Sequence, residues 1–341
     1  MRLDAVLPKK NAGLTIWRGT APGTNTWSVV GNIGIFMKLI EVDNVTKIYR
    51  RGSAFSSATV KAVSDVSLDV FSGECLALVG ESGSGKSTLG RLVIGLEPPT
   101  QGKILFKGHE IDVRHIDRQT RQALQMVYQN SFEATNPGFT ARQVVEEPIR
   151  YFRMASGAEK DRIITDLLEK VGIPAIEADK KTVEFSGGQL QRICIARALA
   201  AKPEMILLDE PLSSLDVSVQ AQILNLLKRL REELGLTYLL ISHDLETVYN
   251  LADRVAVMYS GSIVEEIDDI DLFRELRHPY TSLLLGTDES DNKRSEDLDT
   301  VNDRGCVYSA RCKYADERCR NESPALTEIG TGHRLACHRM R

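Results

Sequence analysis

The glycine-rich segment GESGSGKS, residues 80–87, has the composition and spacing of a phosphate-binding loop. It matches G-x-x-x-x-G-K-[ST], between an apolar stretch that predicts a strand and one that predicts a helix. Glycine permits backbone angles closed to other residues, so successive N–H groups can point inward around phosphate oxygens beside the positive end of the helix. The predicted nucleotide-contacting residues of this segment are Gly80, Ser82, Gly83, Ser84, Gly85, Lys86, Ser87 and Thr88.

Lys86 and Ser87 have distinct expected roles within this loop. The lysine ammonium should contact the β- and γ-phosphates, and the serine hydroxyl should bind Mg²⁺. The alternative is a chance match in a Gly/Ser loop, which arises in roughly one chain in a hundred of this length. The strand–loop–helix context makes chance rarer still, so the sequence predicts a triphosphate site.

Two adjacent acids end the apolar stretch MILLDE, residues 205–210. The ends of strands in open parallel sheets are where ligands bind. Asp209 suits the Mg²⁺ shell, and Glu210 is the candidate base that orients and deprotonates the attacking water. An ordinary acidic turn is the alternative, and the phosphate loop in the same chain favours the catalytic interpretation.

Two further polar residues follow apolar stretches that predict strands. Gln129 in LQMVYQN could reach the metal or the attacking water, and His243 after TYLLIS could contact the γ-phosphate. Phosphoryl transfer depends on positioning and charge neutralisation, so such groups are expected around a γ-phosphate. Alone, either residue would be read as an ordinary loop residue.

The elements that position these groups alternate between buried strands and helices. Alternating apolar patterns begin at residue 37 and at residue 60, and short apolar runs mark further strands. This alternation predicts a mainly parallel sheet covered by helices on both sides. Residues 140–182 contain helical patterns without a buried strand and predict a helical insertion. Residues 216–234 predict a helix whose apolar face contains Val219, Ile223, Leu226, Leu230 and Leu234.

The two ends of the chain differ from this central part. Residues 1–36 lack sustained periodicity and predict a flexible extension, or an artefact of an early start codon. Residues 287–304 are charged and predict a linker.

Composition excludes several classes of protein. The chain has 341 residues, of which 42% are apolar, and a formal net charge of −4. That composition suffices for a buried core, and the charge disfavours a general nucleic-acid binder. No apolar run approaches the roughly 18 residues needed to span a bilayer, and the N-terminus lacks the apolar core of a secretory signal. We therefore expect a cytosolic protein that reaches a membrane only by docking on another protein.

The segment FSGGQLQR, residues 185–192, resembles the signature sequence of ABC ATPases. Upstream and downstream, Gln129 matches the Q-loop, Ser213–Asp216 the D-loop, His243 the switch histidine and Tyr49 the aromatic residue that stacks on adenine. The resemblance covers roughly residues 37–267. It implies ATP and Mg²⁺ as ligands and an α/β fold: a RecA-like P-loop core with an antiparallel β-subdomain and a helical subdomain at about 130–186.

The resemblance also implies that two ATPase domains meet head to tail, with the signature of one facing ATP held by the other. The residues agree with this, because the signature precedes a predicted helix whose N–H groups and positive end suit an anion. The expected residues are Ser186, Gly187, Gly188 and Gln189, with Asp216 in the D-loop.

The C-terminal region, residues 268–341, resembles the tail of oligopeptide/dipeptide importer ATPases. The similarity lies in HPYT, residues 278–281, and in the Cys-containing stretch 305–338. Lys313 stands where relatives usually have proline, and Asn130-Ser131 replaces a usual Asp-Pro. The resemblance implies two transmembrane permease subunits, a second and related ATP-binding subunit, an extracytoplasmic solute-binding protein and a place at the cytoplasmic face of the membrane.

The sequence has six cysteines, and four of them lie in the tail with the spacing C-x5-C-x6-C-x17-C. Stable disulfides are disfavoured in the cytosol, which leaves metal binding or a structural role without metal. The spacing lacks the paired C-x2-C of usual zinc sites, so a [4Fe–4S] cluster ranks above zinc. The candidate ligands are Cys306, Cys312, Cys319 and Cys337. Cys75 and Cys194 lie in apolar surroundings and are expected in the core.

Three alternatives to a peptide importer remain open. A soluble ABC ATPase acting on ribosomes or DNA usually has two nucleotide domains or long coiled coils, whereas this chain has one phosphate loop and no heptad run. An exporter ATPase would use the same chemistry, but the tail resembles that of importers. The same importer ATPase could also serve sugars or nickel, since the cargo is chosen by other subunits.

Overall fold

The computed structural model describes residues 28–30, 34–51, 58–286 and 304–340. Its strands are β1 Ser28–Val30, β2 Gly34–Phe36, β3 Lys38–Arg51, β4 Ala58–Phe71, β5 Cys75–Val79, β6 Gln101–Phe106, β7 His109–Glu110, β8 Leu124–Val127, β9 Met205–Asp209, β10 Thr237–Ser242, β11 Arg254–Tyr259, β12 Ser262–Ile267, β13 Thr327–Gly330 and β14 His333–Leu335. Its α-helices are α1 Lys86–Val93, α2 Arg118–Ala123, α3 Ala141–Tyr151, α4 Gly157–Lys170, α5 Gly187–Ala200, α6 Val217–Leu234, α7 Leu245–Leu251, α8 Pro279–Leu284 and α9 Glu317–Asn321. None of the helices in this described part combines the length and apolarity needed to cross a lipid bilayer.

An eight-stranded sheet in the order β13-β14-β12-β11-β5-β10-β9-β8 forms the centre of the molecule. Neighbouring strands from β11 to β8 run parallel. Strands β5, β9 and β10 are buried along their whole length, as expected for strands covered on both faces. The predicted parallel sheet is confirmed, and residues that follow β8, β9 and β10 meet at its carboxyl edge.

A second sheet, in the order β4-β3-β6-β7, is antiparallel. Its two longest strands, β3 and β4, have 14 residues each and pair with each other, and the alternation seen from residues 37 and 60 corresponds to them. Their apolar side chains share a core cluster with α1 and with one face of the large sheet. This is the antiparallel β-subdomain that the ABC resemblance implied.

The predicted helical insertion at 140–182 contains α3, α4 and a short 3₁₀ turn, and a second 3₁₀ turn begins at its last residue. Thr140 begins α3 with a capping box, in which its hydroxyl accepts from the N–H of Gln143. Helix α3 packs against α5, which returns the chain to the large sheet. The prediction of helices without a buried strand is confirmed for this segment.

The prediction for α6 is confirmed for most of its apolar face. Ile223, Leu226 and Leu230 are buried, and Val219 is partly buried against the same core. Leu234 was wrongly assigned to that face, because its side chain is 46% exposed. The helix ends there at Gly235, which adopts a left-handed conformation and turns the chain away.

The tail joins the large sheet rather than forming a separate layer. Strand β14 pairs with β12, and β13 pairs with β14. Side chains of Cys306, Tyr308 and Cys319 belong to the main core cluster. The sequence boundary at residue 268 therefore does not coincide with a break in the core.

Two segments assigned from sequence lie mainly outside the described residues. These are the N-terminal extension 1–36 and the linker 287–304. Within the first of them, β1 and β2 form a short antiparallel pair, which the sequence analysis did not predict.

Candidate active site

The phosphate loop connects β5 to α1 through backbone contacts that only glycine allows. At Gly80, φ is +152° and a Cβ would lie 2.2 Å from the carbonyl oxygen of Met258. At Gly85, φ is +103° and a Cβ would lie 2.1 Å from the carbonyl oxygen of Ala62. A side chain at either position would displace the loop, so strands β4 and β11 fix its path.

Lys86 is the first residue of α1, and its ammonium lies inside the loop. Its Nζ donates to the carbonyl oxygens of Gly80 and Glu81, each at 2.7 Å. Burial lowers the pKa of Lys86, and the negative charges of Glu210, Asp209 and Glu81 oppose that shift. These carbonyl bonds are the ones that phosphate oxygens can replace.

Ser87 and Asp209 contact each other at the carboxyl edge of the sheet. The serine Oγ donates to Oδ1 of Asp209 at 3.0 Å. Burial raises the pKa of Asp209, and the hydrogen bond from Ser87 lowers it. A hydroxyl and a buried carboxylate are oxygen ligands of the kind that Mg²⁺ prefers, so the pair fits that ion.

Glu210 lies between the two other residues assigned to the chemistry. Nε2 of Gln129 donates to Oε2 of Glu210 at 2.9 Å, and Nδ1 of His243 lies 3.3 Å from Oε1. These three residues follow β8, β9 and β10, so the parallel topology brings them together. In the structure Gln129 contacts Glu210 and Ser213, at 2.9 and 3.4 Å, and no bond to Ser87 or Asp209 is seen among these described contacts.

The backbone of Glu210 turns sharply at the end of β9. Its φ is +46°, in the left-handed region, which costs an L-residue about 1 kcal/mol. Its N–H donates to the carbonyl oxygen of Ile241 at 2.9 Å. This turn directs the carboxylate toward Gln129 and His243, and such strained positions are common at functional sites.

Tyr49, on β3, is held by an acid that the sequence analysis missed. Its hydroxyl donates to Oε2 of Glu97 at 2.6 Å, and Nζ of Lys47 lies 5.2 Å from the ring centroid. Burial and the bond to Glu97 raise the pKa of Tyr49, whereas a hydrogen bond with Thr88 lowers it. The ring is therefore oriented beside α1. Tyr49 and Glu97 are 48 positions apart, and no sequence signal connected them.

The signature residues form the start of α5. Ser186 and Gln189 build a capping box, with bonds of 3.0 and 3.3 Å between each side chain and the other's N–H. A Cβ on Gly188 would lie 2.3 Å from Cγ1 of Val219, so this end of α5 packs closely on α6. Ser186 is exposed, as is Asp216, the N-cap residue of α6. Gly187 follows Ser186 as the first residue of α5 and is partly buried.

The four tail cysteines are not joined in disulfide bonds. Cys306, Cys319 and Cys337 are buried and Cys312 is partly buried. Burial raises the pKa of Cys306 to about 11, and the other three thiols add to that rise. Among the described residues, no group of three or more His, Cys, Asp or Glu side chains is arranged to hold a metal ion. The structure therefore does not support the predicted [4Fe–4S] cluster or a zinc site.

Glu81, the second residue of the phosphate loop, was also missed. Its carboxylate contacts Arg311 in the tail at 2.8 Å. It occupies a position where the motif accepts any residue, and its partner lies 230 residues further along the chain. Neither periodicity nor motif spacing could connect the two.

Two family models match the chain. The model for the ABC transporter family matches residues 63–213. The model described as the C-terminal region of the oligopeptide/dipeptide transporter matches residues 264–319. The first range contains the phosphate loop and the two acids Asp209 and Glu210. The second contains most of the C-terminal region that resembles the tail of importer ATPases.

Individual proteins of known sequence are similar over most of the chain. The oligopeptide transport ATP-binding protein AppF of Bacillus subtilis is 42% identical over 294 residues, covering 82% of this chain and 89% of that protein. The dipeptide transport ATP-binding protein DppF of Haemophilus influenzae is 39% identical over 313 residues, covering 88% and 96%. A solved structure described as a dimeric post-hydrolysis state of an ATP-binding cassette, bound to ADP and Pi, has a TM-score of 0.60 and 31% identity, covering 67% of this chain and 97% of that one.

Proposed function

This chain belongs to the ABC transporter family of ATP-binding proteins, and from that membership we propose that it is the ATP-hydrolysing subunit of a peptide importer. Its relatives are named as oligopeptide and dipeptide transport ATP-binding proteins. Residues 264–319 match the family model for the C-terminal region of oligopeptide/dipeptide transporters. The single observation that carries the proposal is the contact of Glu210 with Gln129 and His243 beside the Lys86 loop.

The chemical step that we propose is attack of water on the γ-phosphate of ATP, which breaks the bond between the γ-phosphorus and the bridging oxygen and releases ADP and phosphate. Glu210 orients this water and accepts its proton, while Gln129 and His243 hold the Glu210 carboxylate. Lys86 gives up its bonds to the loop carbonyls and donates to phosphate oxygens.

Ser87 and Asp209 are the residues that we assign to Mg²⁺. The ion supplies neutralisation of charge on the phosphate oxygens when it is bound. Asp209 must be ionised to serve as its ligand; burial raises its pKa and the hydrogen bond from Ser87 opposes that rise. Gln129 is kept as a third ligand candidate, which would require it to leave Glu210.

We propose that the nucleotide site is completed by a second ATP-binding subunit. The support is the exposed start of α5, where Ser186 precedes a 14-residue helix whose N-terminus favours anions. Asp216 is exposed at the neighbouring start of α6. In this arrangement ATP holds two subunits together, and loss of the γ-phosphate releases them. The partner is expected to be a related rather than identical subunit.

We propose a groove beside Gln129 as the contact with a permease subunit. It has a volume of about 1380 Å³ and lies between the large sheet and the helical insertion. Its lining includes Tyr128, 43% exposed, and Tyr151, 64% exposed. Exposed aromatic side chains of this size are common at protein interfaces. A cytoplasmic segment of a permease seated here would contact the chain next to the catalytic Gln129.

The rest of the proposed assembly follows from the importer assignment. Two permease subunits span the membrane, a solute-binding protein outside the cytoplasm delivers the peptide, and this chain lies peripherally at the cytoplasmic face. Peptides are proposed as cargo from the names of the relatives. No nucleic acid is expected as a partner, in keeping with the net charge of −4.

Affinity purification from detergent-solubilised membranes tests this assignment. We expect the tagged chain to retain two integral membrane subunits and a second ATP-binding protein, with peptide-stimulated ATPase activity after reconstitution into vesicles with the solute-binding protein. Recovery of ribosomes or DNA-bound proteins instead, without membrane subunits, would overturn it. Stimulation by a sugar or nickel but not by peptides would support the assignment as an importer ATPase and contradict the assignment of peptides as the transported solute.

A further inference from the structure

The tail forms an ion pair with Glu81 of the phosphate loop, a residue to which we assign no catalytic role. Arg311 donates through Nη1 to Oε2 of Glu81 at 2.8 Å and through Nη2 to Oε1 at 3.2 Å. Two parallel bonds between a guanidinium and a carboxylate fix direction as well as distance. The side chain of Glu81 is therefore held in one orientation by a residue 230 positions away.

The backbone of Glu81 is held as well. Its N–H donates to the hydroxyl oxygen of Tyr280 at 2.6 Å, and Tyr280 is fully buried at the start of α8. Both Tyr280 and Arg311 lie within residues 264–319, whereas Glu81 lies within residues 63–213. The C-terminal region thus contacts both the main chain and the side chain of the loop.

Arg311 is itself seated among aromatic rings. Its guanidinium carbon lies 5.8 Å from the ring centroid of Tyr259 and 5.9 Å from that of Tyr308. The rings of Tyr259, Tyr280 and Tyr308 pack on one another with centroids 4.6 to 5.6 Å apart. The hydrogen bond to Glu81 raises the pKa of Arg311 further above its ordinary value. The cation is therefore permanent and pre-oriented toward the loop.

We propose that Arg311 is a positioning residue for the phosphate loop, which makes the C-terminal region part of the nucleotide site. This inference rests on the proposed ATPase function. The carbonyl oxygen of Glu81 accepts from Lys86 at 2.7 Å, so the residue held by Arg311 also sets the resting position of the lysine. Pairing with Arg311 also neutralises a carboxylate that would otherwise repel the phosphates of a bound nucleotide.

Binding of Mg²⁺-ADP to the full-length chain, measured by titration calorimetry, tests the role of Arg311. ADP is suitable because it is not consumed and its phosphates engage the loop without a second subunit. We expect Arg311→Ala to raise Kd about three- to tenfold, because the pair is charge-assisted but partly exposed. Arg311→Lys should fall between this variant and the wild type, since it keeps the charge and loses the paired geometry.

The decisive comparison uses Glu81→Gln as a second background. If Arg311 acts through Glu81, Arg311→Ala should change Kd less than twofold in that background. If Arg311 only packs the tail, Arg311→Ala should raise Kd by the same factor in both backgrounds. That result would overturn the proposal. A Kd within twofold of wild type for Arg311→Ala in the unmodified chain would overturn it too.

Two controls separate this inference from the function that it rests on. Arg318 forms a comparable ion pair with Glu322 at 2.8 Å on the same tail, so Arg318→Ala should leave Kd unchanged. Wild-type chain that fails to bind Mg²⁺-ADP, or binds it as well after Lys86→Ala, would refute the proposed function itself. If Arg311→Ala does not fold, as judged by circular dichroism, Arg311→Lys and Glu81→Gln carry the comparison.

Discussion

At the residue scale, the proposed chemistry depends on a carboxylate that is held from both sides. Oε2 of Glu210 accepts from Gln129 and Oε1 lies near His243. The left-handed backbone conformation of Glu210 sets the direction in which its side chain leaves the main chain. A glutamine at this position would keep the shape of the side chain and remove the basic oxygen. This substitution therefore distinguishes a role of Glu210 in catalysis from a role in binding.

We expect Glu210→Gln to keep ATP binding and to lower the hydrolysis rate by about 10²-fold or more. Phosphate release and ATP-dependent association with the partner ATPase subunit are the measurements, and the variant should accumulate as an ATP-bound complex. Glu204→Gln is the matched control, because Glu204 precedes the same strand and pairs with Lys107 at the surface. Hydrolysis at the wild-type rate by the Glu210 variant would refute the assignment of the base.

Lys86 carries the second residue-scale prediction. Lys86→Ala removes a cation that is only 5% exposed and bonded within the loop. Charge-assisted bonds contribute about 1.5–3 kcal/mol, so we expect nucleotide affinity to fall by at least about tenfold. Equilibrium binding of Mg²⁺-ATP measures this. Lys103→Ala is the control, since Lys103 is exposed on β6, and equal affinities for the two variants would contradict the prediction.

At the element scale, the sequence was sufficient wherever the signal was local. The buried strands β5, β9 and β10 and the loop that begins at Gly80 follow from continuous apolar runs and one motif. The exposure of Leu234 was not predicted, because periodicity extends a helical face until Gly235 ends the helix. The contact between Arg311 and Glu81 could not be predicted from sequence for another reason, because it depends on the packing of segments 230 residues apart.

The start of α5 carries the element-scale prediction. Ser186→Ala removes the N-cap hydroxyl, which typically costs about 1 kcal/mol of stability. Because this end of the helix is proposed to face ATP held by the partner subunit, we also expect hydrolysis by the assembled complex to fall at least about tenfold. Binding of ATP to the isolated chain should not change.

Thr140→Ala provides the comparison for Ser186→Ala. Thr140 caps α3 through the same kind of capping box, so both variants should lose similar stability in thermal unfolding. Only the Ser186 variant should hydrolyse ATP slowly in the complex. Equal hydrolysis rates for the two variants would indicate that Ser186 caps its helix and nothing more.

At the scale of the whole molecule, the tail is anchored by a buried charge cluster that spans the large sheet. Arg254 on β11 donates to Glu74, Glu266 and Asp268 at 2.9, 2.7 and 3.0 Å. Arg334, on β14 of the tail, also pairs with Glu266. Three carboxylates thus face two guanidinium groups, which leaves one negative charge that a proton can balance.

That proton is assigned to Glu74, because burial raises its pKa from 4.5 to about 7 even though Arg254 lowers it. Between pH 4.5 and about 7, the folded chain keeps a proton on Glu74 that the unfolded chain has released. The resulting stabilisation is complete below about pH 4.5 and is lost as the pH rises through about 7, with an upper bound of about 3 kcal/mol. The structure therefore predicts a descending contribution to stability across this pH range.

Urea unfolding between pH 4.5 and 8 measures this contribution as the difference between two profiles. Glu74→Gln mimics the protonated side chain and cannot ionise, so its free energy of unfolding should lack the descending contribution, and the gap from wild type should widen as the pH rises. Glu232→Gln, at an exposed position on α6, should follow the wild-type profile. Parallel profiles for the wild type and the Glu74 variant would mean that the cluster holds its net negative charge without a proton. The tail would then be anchored by Arg254 and Arg334 alone.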